Sequence, residues 1–302
     1  MKLSDYLEKQ EVTELMRRSD WRAWWSVGVN WGLLAGAFAL AIAWPHPLTI
    51  LVATLIIGGR QLGLGILVHD CAHNAFFKRR RTNEVVGHWL AGVPIDLSLS
   101  QYRTYHMAHH RHAGTSDDPD LPFVVNYPVT KASLRRKLTR DITGRTGFRD
   151  LARRMARFEI KKQWPWLAFH VALLGVLTAV GAWWAYALWW AAEMFVYPVI
   201  VRLRQIGEHG VVPDRGDSDP RNNTSTTTVC WWERLLVAPN QVNYHVEHHL
   251  ASGVPSYRLA KMHRLLRTCG FYDSHDALSF GYADVLRRAT RNPSDHVPRR
   301  LK

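Results

Sequence analysis

The sequence predicts an all-α integral membrane protein, with four transmembrane helices in two hairpins and a cytoplasmic helical cap. Three observations carry this reading. Residues 23–44 contain no charged side chain, and residues 163–201 contain only Glu193. The 39 Lys and Arg residues fall almost wholly in the first 22 residues, in 69–162 and after Val201. Apolar runs of this length match the ~20 residues that cross a ~30 Å hydrocarbon core. The mean hydropathy of −0.19 hides this segregation.

Taken in order, residues 1–20 form a polar N-terminal segment. The run of about 21–44 is a first span, closed by Pro45 and Pro47. About 48–68 is a second span, interrupted by Arg60 and Gln61. The apolar stretch Val85–Leu99 is too short to cross and contains Pro94 and Asp96, which suits an interfacial or re-entrant segment. Residues 164–181 and 182–201 are read as the third and fourth spans around a tight turn near Gly181. Trp164, Trp166, Trp183, Trp184, Trp189 and Trp190 stand where interfacial aromatics are expected. Neither outer turn carries Lys or Arg, so the positive-inside rule places both termini, 69–163 and 202–302 in the cytoplasm. The whole chain, 1–302, reads as one membrane domain, with Pro213–Thr228 as its least ordered-looking stretch.

Composition excludes several classes. With 14 Trp, 10 Tyr and 10 Phe the chain is too aromatic for disorder. Three cysteines without a CxxC pair exclude a disulfide scaffold and a Cys-rich zinc module. The first apolar run is too long for a signal peptide and follows Asp5, Glu8, Glu11 and Glu14. The net charge of +14 follows membrane topology, so it needs no nucleic acid. Basic runs such as Lys78–Arg81 face anionic headgroups, and Lys131–Arg157 reads as a membrane-surface helix with cations for an acidic electron carrier.

The unusual count is 16 histidines. His69 and His73 form HxxxH. His106, His109 and His110 form HxxHH, and His245, His248 and His249 form it again. On a helix, positions i, i+3 and i+4 share a face, so each box presents a patch of imidazoles. One HxxHH would arise by chance about 0.04 times in such a chain, so two with an HxxxH are a specific metal-site signal. Eight imidazoles exceed the three or four ligands of one zinc, and HExxH is absent. The count suits two metal ions, and histidine alone does not choose among zinc, copper, iron and nickel. His209 becomes a ninth candidate if the fourth helix runs on past the membrane, with Gln205 one turn before it. Asp70, Glu208 and Glu247 are the carboxylates placed to orient ring N–H groups. A metal transporter would need polar ligands at mid-membrane depth, whereas these boxes lie outside the spans.

The chain resembles the membrane fatty acid desaturase and hydroxylase superfamily. The resemblance rests on His69–His73, on Tyr105–His112 followed by Asp117–Leu121, and on Asn243–Leu250 followed by Val254–Tyr257. It covers roughly residues 20–270, including the four-span layout. It implies a cytoplasm-facing di-iron centre that uses O2 and two electrons to attack an unactivated C–H bond of a lipid. The family's ninth histidine maps onto His209, and its water-bridged polar residue maps onto Gln205. HxxxH in place of HxxxxH leans toward lipid-linked acyl chains over acyl-CoA. The sequence has no HPGG haem-binding segment, so the resemblance implies a separate electron donor of ferredoxin, rubredoxin or cytochrome b5 type. Desaturation of an acyl chain and hydroxylation or monooxygenation of an acyl chain, alkane, sphingoid or terpenoid lipid share such a site, and the ligands do not separate them.

Arg60 and Glu193 are the charges inside the predicted spans. Such charges turn inward to a partner. The sequence places both in the bundle interior, with Glu193 capping the far end of a substrate tunnel or binding a polar substrate group. The alternative is Arg60 on backbone carbonyls near Gly58, Gly59 and Gly63 and a protonated Glu193.

Overall fold

The computed structural model describes residues 1–291. His296, a histidine outside the boxes, and the end of the 202–302 segment lie outside the described residues. Among the described residues three helices are long and apolar enough to cross a membrane: Asp20–Ala43 (24 residues), Pro47–Ala72 (26 residues) and Trp183–Gly210 (28 residues). The helix Ile160–Ala179 has 20 residues and packs with them. Lys161, Lys162 and Gln163 open it, so its apolar part is shorter than its length.

The first two long helices form a hairpin. Pro47 starts the second, pre-set in φ at a position whose N–H has no helical partner anyway. His46 caps it by accepting from the Leu48 amide at 3.3 Å. Nearly every residue from Gly58 to Ala72 is buried, so this helix is the central post of the fold. Gly181, at φ +74°, makes the tight turn between the other two long helices.

The last long helix runs unbroken to Gly210, as the reading of His209 requires, but it is not uniformly α. Ala192–Val196 and Ile206–Gly210 are π-helical turns. Pro198 explains the first: it has no N–H to give the Met194 carbonyl, and the helix widens there.

Val85–Leu99 folds as a compact piece, with a π-turn (Val86–Gly92), a 3-10 turn (Val93–Ile95) and a left-handed stop at Asp96. The Trp31 indole N–H donates to the Leu90 carbonyl at 3.1 Å, fastening the piece to the first span. A polar cap then covers the extended ends of the long helices. The chain is mostly helical, as expected, and the cap adds two short parallel ladders. Val129–Thr130 pairs with Thr290–Arg291, and Thr226–Thr228 pairs with Leu278–Phe280. Pro213–Thr228 is also more ordered than its composition suggested. Asp219 caps the short helix Pro220–Asn223, and the second ladder follows directly.

Arg60 is buried in the interior, as expected. Arg60 donates to the Leu235 carbonyl of the cap. Glu193 is ion-paired to Arg154 at 2.7 Å. Arg154 belongs to the helix Arg145–Ala156, which packs against the π-turn, with Gly147 against the Met194 backbone. The surface helix folds back onto the span, so the carboxylate is held by a residue of that helix.

Candidate metal centre

Four helix ends converge under the cap. His69 and His73 end the central helix, and His106, His109 and His110 lie on Leu99–His112. His209 lies on the π-turn Ile206–Gly210, and His245, His248 and His249 lie on the short helix His245–Leu250. All nine predicted histidines come together. They form two groups: His69, His73, His106, His110 and His248 in one, and His109, His209, His245 and His249 in the other. Within each group the nitrogens lie within 4.8 Å of one another.

The boxes are interleaved across the two groups. The second box gives His106 and His110 to one group and His109 to the other, while the third gives His248 to the first and His245 and His249 to the second. The groups touch through His110 and His249, whose rings stack with centroids 4.4 Å apart.

Hydrogen bonding on the outer nitrogens sets the chemistry of the inner ones. The His69 Nδ1 meets Asp70 at 2.9 Å, and the His109 Nδ1 meets Asp118 at 2.7 Å. The His209 Nδ1 lies 3.1 Å from the Asn223 carbonyl, which only accepts. An Nδ1–H at each of these rings leaves Nε2 as a bare lone pair in the neutral imidazole. These Nε2 atoms point at other Nε2 atoms: His69 to His248 at 3.0 Å, His209 to His245 at 2.8 Å and His109 to His249 at 3.2 Å. Lone pairs facing at this range repel unless a cation sits among them, so the donor set fits two metal ions.

The protonation tendencies agree. Burial pushes His106, His245, His248 and His249 well below the usual imidazole range, with neighbouring histidines adding to the effect. Burial takes His110 down to about 2 and, with Arg103, His73 down to about 4. His109 goes the other way. Burial alone would lower it, but the hydrogen bond it donates to Asp118 and the charges of Asp120 and Asp118 outweigh that and raise it. Neutral imidazoles are what metal ligation needs.

A pH dependence follows. In the metal-free protein His73 and His110 take up protons more readily when unfolded, near 6.5, than when folded. The unfolded state then binds more protons as pH falls through 6.5, so folded stability drops. Thermal unfolding of the metal-free protein is expected at a lower temperature at pH 5 than at pH 7.5. A flat profile would contradict this.

Of the predicted supporting residues, Asp70 bonds the His69 ring and receives the Ser256 hydroxyl. Glu208 stands 3.6 Å from the His245 Nδ1 and accepts from the Arg204 Nε at 2.7 Å. Gln205 lines a cavity of about 210 Å³ together with His106, His109, His209, His245 and Arg204, so it faces both groups. Glu247 is corrected. Its carboxylate takes Thr226, His263 and Tyr272, and none of these bonds goes to a box histidine. His112 belongs to neither group.

Sequence reasoning gave no role to Asp118, Asn223, Ser256 or Arg204. Asp118 lies in the acidic segment after the second box, and that was its only signal. Arg103 was also missed. It donates to the Ala72 and Cys71 carbonyls at 2.8 and 3.3 Å, locking the second-box helix onto the end of the first-box helix.

A set of buried imidazoles at the end of long apolar helices defines a class of membrane protein with a histidine metal site. The chain belongs to the fatty acid desaturase family, whose model matches residues 44–280. It is 25% identical to the sn-1 oleoyl-lipid 12-desaturase of Picosynechococcus sp. over 277 residues, covering 82% of this chain and 77% of that one. It is 28% identical to a beta-carotene ketolase of Paracoccus sp. over 249 residues, 78% and 90% of the two chains. With the sn-1 acyl-lipid omega-3 desaturase (ferredoxin) of Synechocystis sp. it shares 25% over 262 residues, 76% and 70% of the two chains. The protein is a membrane oxidoreductase of this family.

Proposed function

We propose that the protein is an O2-dependent di-iron desaturase that introduces a double bond into the acyl chain of a lipid. The balanced reaction is R–CH2–CH2–R′ + O2 + 2 e− + 2 H+ → R–CH=CH–R′ + 2 H2O. The observation that carries this is the pair of imidazole groups, built by a chain whose family includes the acyl-lipid desaturases above.

In this reading His69, His73, His106, His110 and His248 would hold one iron, and His109, His209, His245 and His249 the other, with Gln205 lining the cavity beside them. When bound, the iron pair supplies the O2 activation that makes an unactivated C–H bond reactive. The chain's own residues do the rest. Asp70, Asp118 and the Asn223 carbonyl fix the ring tautomers, so Nε2 is the ligating atom at His69, His109 and His209. Arg204 holds Glu208 beside His245. An alkyl chain has no polar handle, so its position relative to the metals is set by the apolar helices.

The electrons come from a separate donor of ferredoxin, rubredoxin or cytochrome b5 type, a reading supported by the ferredoxin named for one relative. We read Ile160–Ala179 as a fourth span beside the three longer helices, and the basic charge of the polar segments then favours a cytoplasmic side for them by the positive-inside rule.

A ketolase relative supports hydroxylation on the same site as a second reading. Mass spectrometry of lipids from cells with and without the protein separates the two. New double bonds with unchanged oxygen content are expected, and +16 mass products instead would favour the hydroxylase.

A further inference from the structure

The cap meets the central helix at an unexpected depth. Gly59 lies where an added Cβ would stand 3.0 Å from the Leu235 and Leu236 backbone, and the neighbouring Arg60 donates to Leu235. Gly59 is twelve residues beyond Pro47, so it stands about 18 Å above the outer turn at 1.5 Å per residue. The hydrocarbon core is about 30 Å thick, and helix tilt shortens the rise further. The segment Trp231–Leu236 is therefore seated below the level of the cytoplasmic headgroups.

What this segment presents outward is apolar. Trp231 is 78% exposed, Trp232 is 48% and Phe280 is 69%. They project from one knot. Phe280 pairs in register with Thr228, three residues before Trp231. Glu233 accepts from the Cys230 and Tyr282 amides at 3.0 and 2.7 Å, tying the two chain segments together. Indole and phenyl rings held rigidly outward in water are costly, whereas indole is the side chain most suited to the headgroup boundary.

We propose that Trp231, Trp232 and Phe280 form a monotopic wedge that embeds this flank of the cap in the cytoplasmic leaflet. The partner is phospholipid, because the patch is continuous with the central helix at a depth where the bilayer is the surrounding medium. This rests on the membrane orientation proposed above. The wedge would seat the site against the bilayer, so that an acyl chain need not leave the leaflet to reach it.

Spin-label depth measurement tests this on the full chain in phosphatidylcholine–phosphatidylglycerol vesicles. Cys230 and Cys269 are exposed and are replaced by serine, while Cys71 is buried and stays. Labels are then placed singly at Trp231→Cys, Phe280→Cys, Leu51→Cys and Thr268→Cys. Leu51 is an exposed span residue and Thr268 an exposed cap residue at the end of Ser256–Thr268. The ratio of oxygen to nickel-chelate accessibility at 231 and 280 is expected to approach that at 51 and to exceed that at 268 several-fold. A ratio at 231 and 280 equal to that at 268, with 51 in lipid, overturns the wedge. A water-like ratio at 51 overturns the membrane orientation instead, so the two failures are distinguishable.

Discussion

Replacing His248 by alanine is expected to abolish turnover and to lower the metal bound per chain. His248 sits at the centre of the five-histidine group, with its Nε2 3.0 Å from His69 and 2.9 Å from His110. Removing it takes one nitrogen from that group and leaves a void between three helix ends. Loss of residues that merely orient a ligand typically costs about 10–100-fold, so losing the ligand should exceed about 100-fold. Asp70→Asn belongs to the milder class, because His69 keeps its place and loses only the carboxylate on Nδ1. His112→Ala is the control: it lies on the helix of the second box yet in neither group, and both activity and metal content should stay at the parent level. The measurement is metal content and single-turnover activity after anaerobic ferrous reconstitution. Full activity in the His248 variant would sink the ligand assignment.

What was legible in the sequence was what local geometry determines. The spacing i, i+3, i+4 fixes a shared helical face without reference to the rest of the chain, so the boxes and their common purpose could be read directly. The partition into groups of five and four could not. It depends on how the helix ends cross, and both HxxHH boxes are split by it. His209 was legible only on the condition that its helix continued, which it does. Glu247 shows the limit of reading by proximity alone. It lies about 200° round the helix from His245 and about 100° from His248 at 100° per residue, so it faces away from the ring patch toward Thr226, His263 and Tyr272. Asp70 was legible by adjacency, whereas Asp118 reaches His109 across a turn that spacing does not specify. Arg60 and Glu193 were read as charges needing an interior partner. They have partners, but on cap segments that fold back onto the spans, and a hydropathy pattern does not record which surface segment covers a helix.

That covering contact yields the second large effect. Pro198 cannot bond the Met194 carbonyl, and Gly147 is the residue that approaches it. A Cβ at Gly147 would stand 2.5 Å from the Met194 carbonyl oxygen and 2.6 Å from its Cα, which is backbone and cannot swing aside. Gly147→Leu should therefore push Arg145–Ala156 off the span, at about 1–3 kcal/mol for the overpacking itself. It should also separate Arg154 from Glu193, which meet at 2.7 Å with side chains 23% and 12% exposed. Glu193→Ala breaks the same pair directly and leaves a largely buried guanidinium, a change that costs about 3–5 kcal/mol in comparable sites. Asp96, 3.7 Å from Arg154, offsets part of that. Because both substitutions undo one contact, the double variant should be less destabilised than the sum of the singles. Thermal unfolding in detergent measures each. Glu193 is held by Arg154, so the product profile of the surviving Glu193→Ala enzyme is expected to match the parent. A shifted double-bond position or chain-length preference at unchanged stability would return Glu193 to the substrate path.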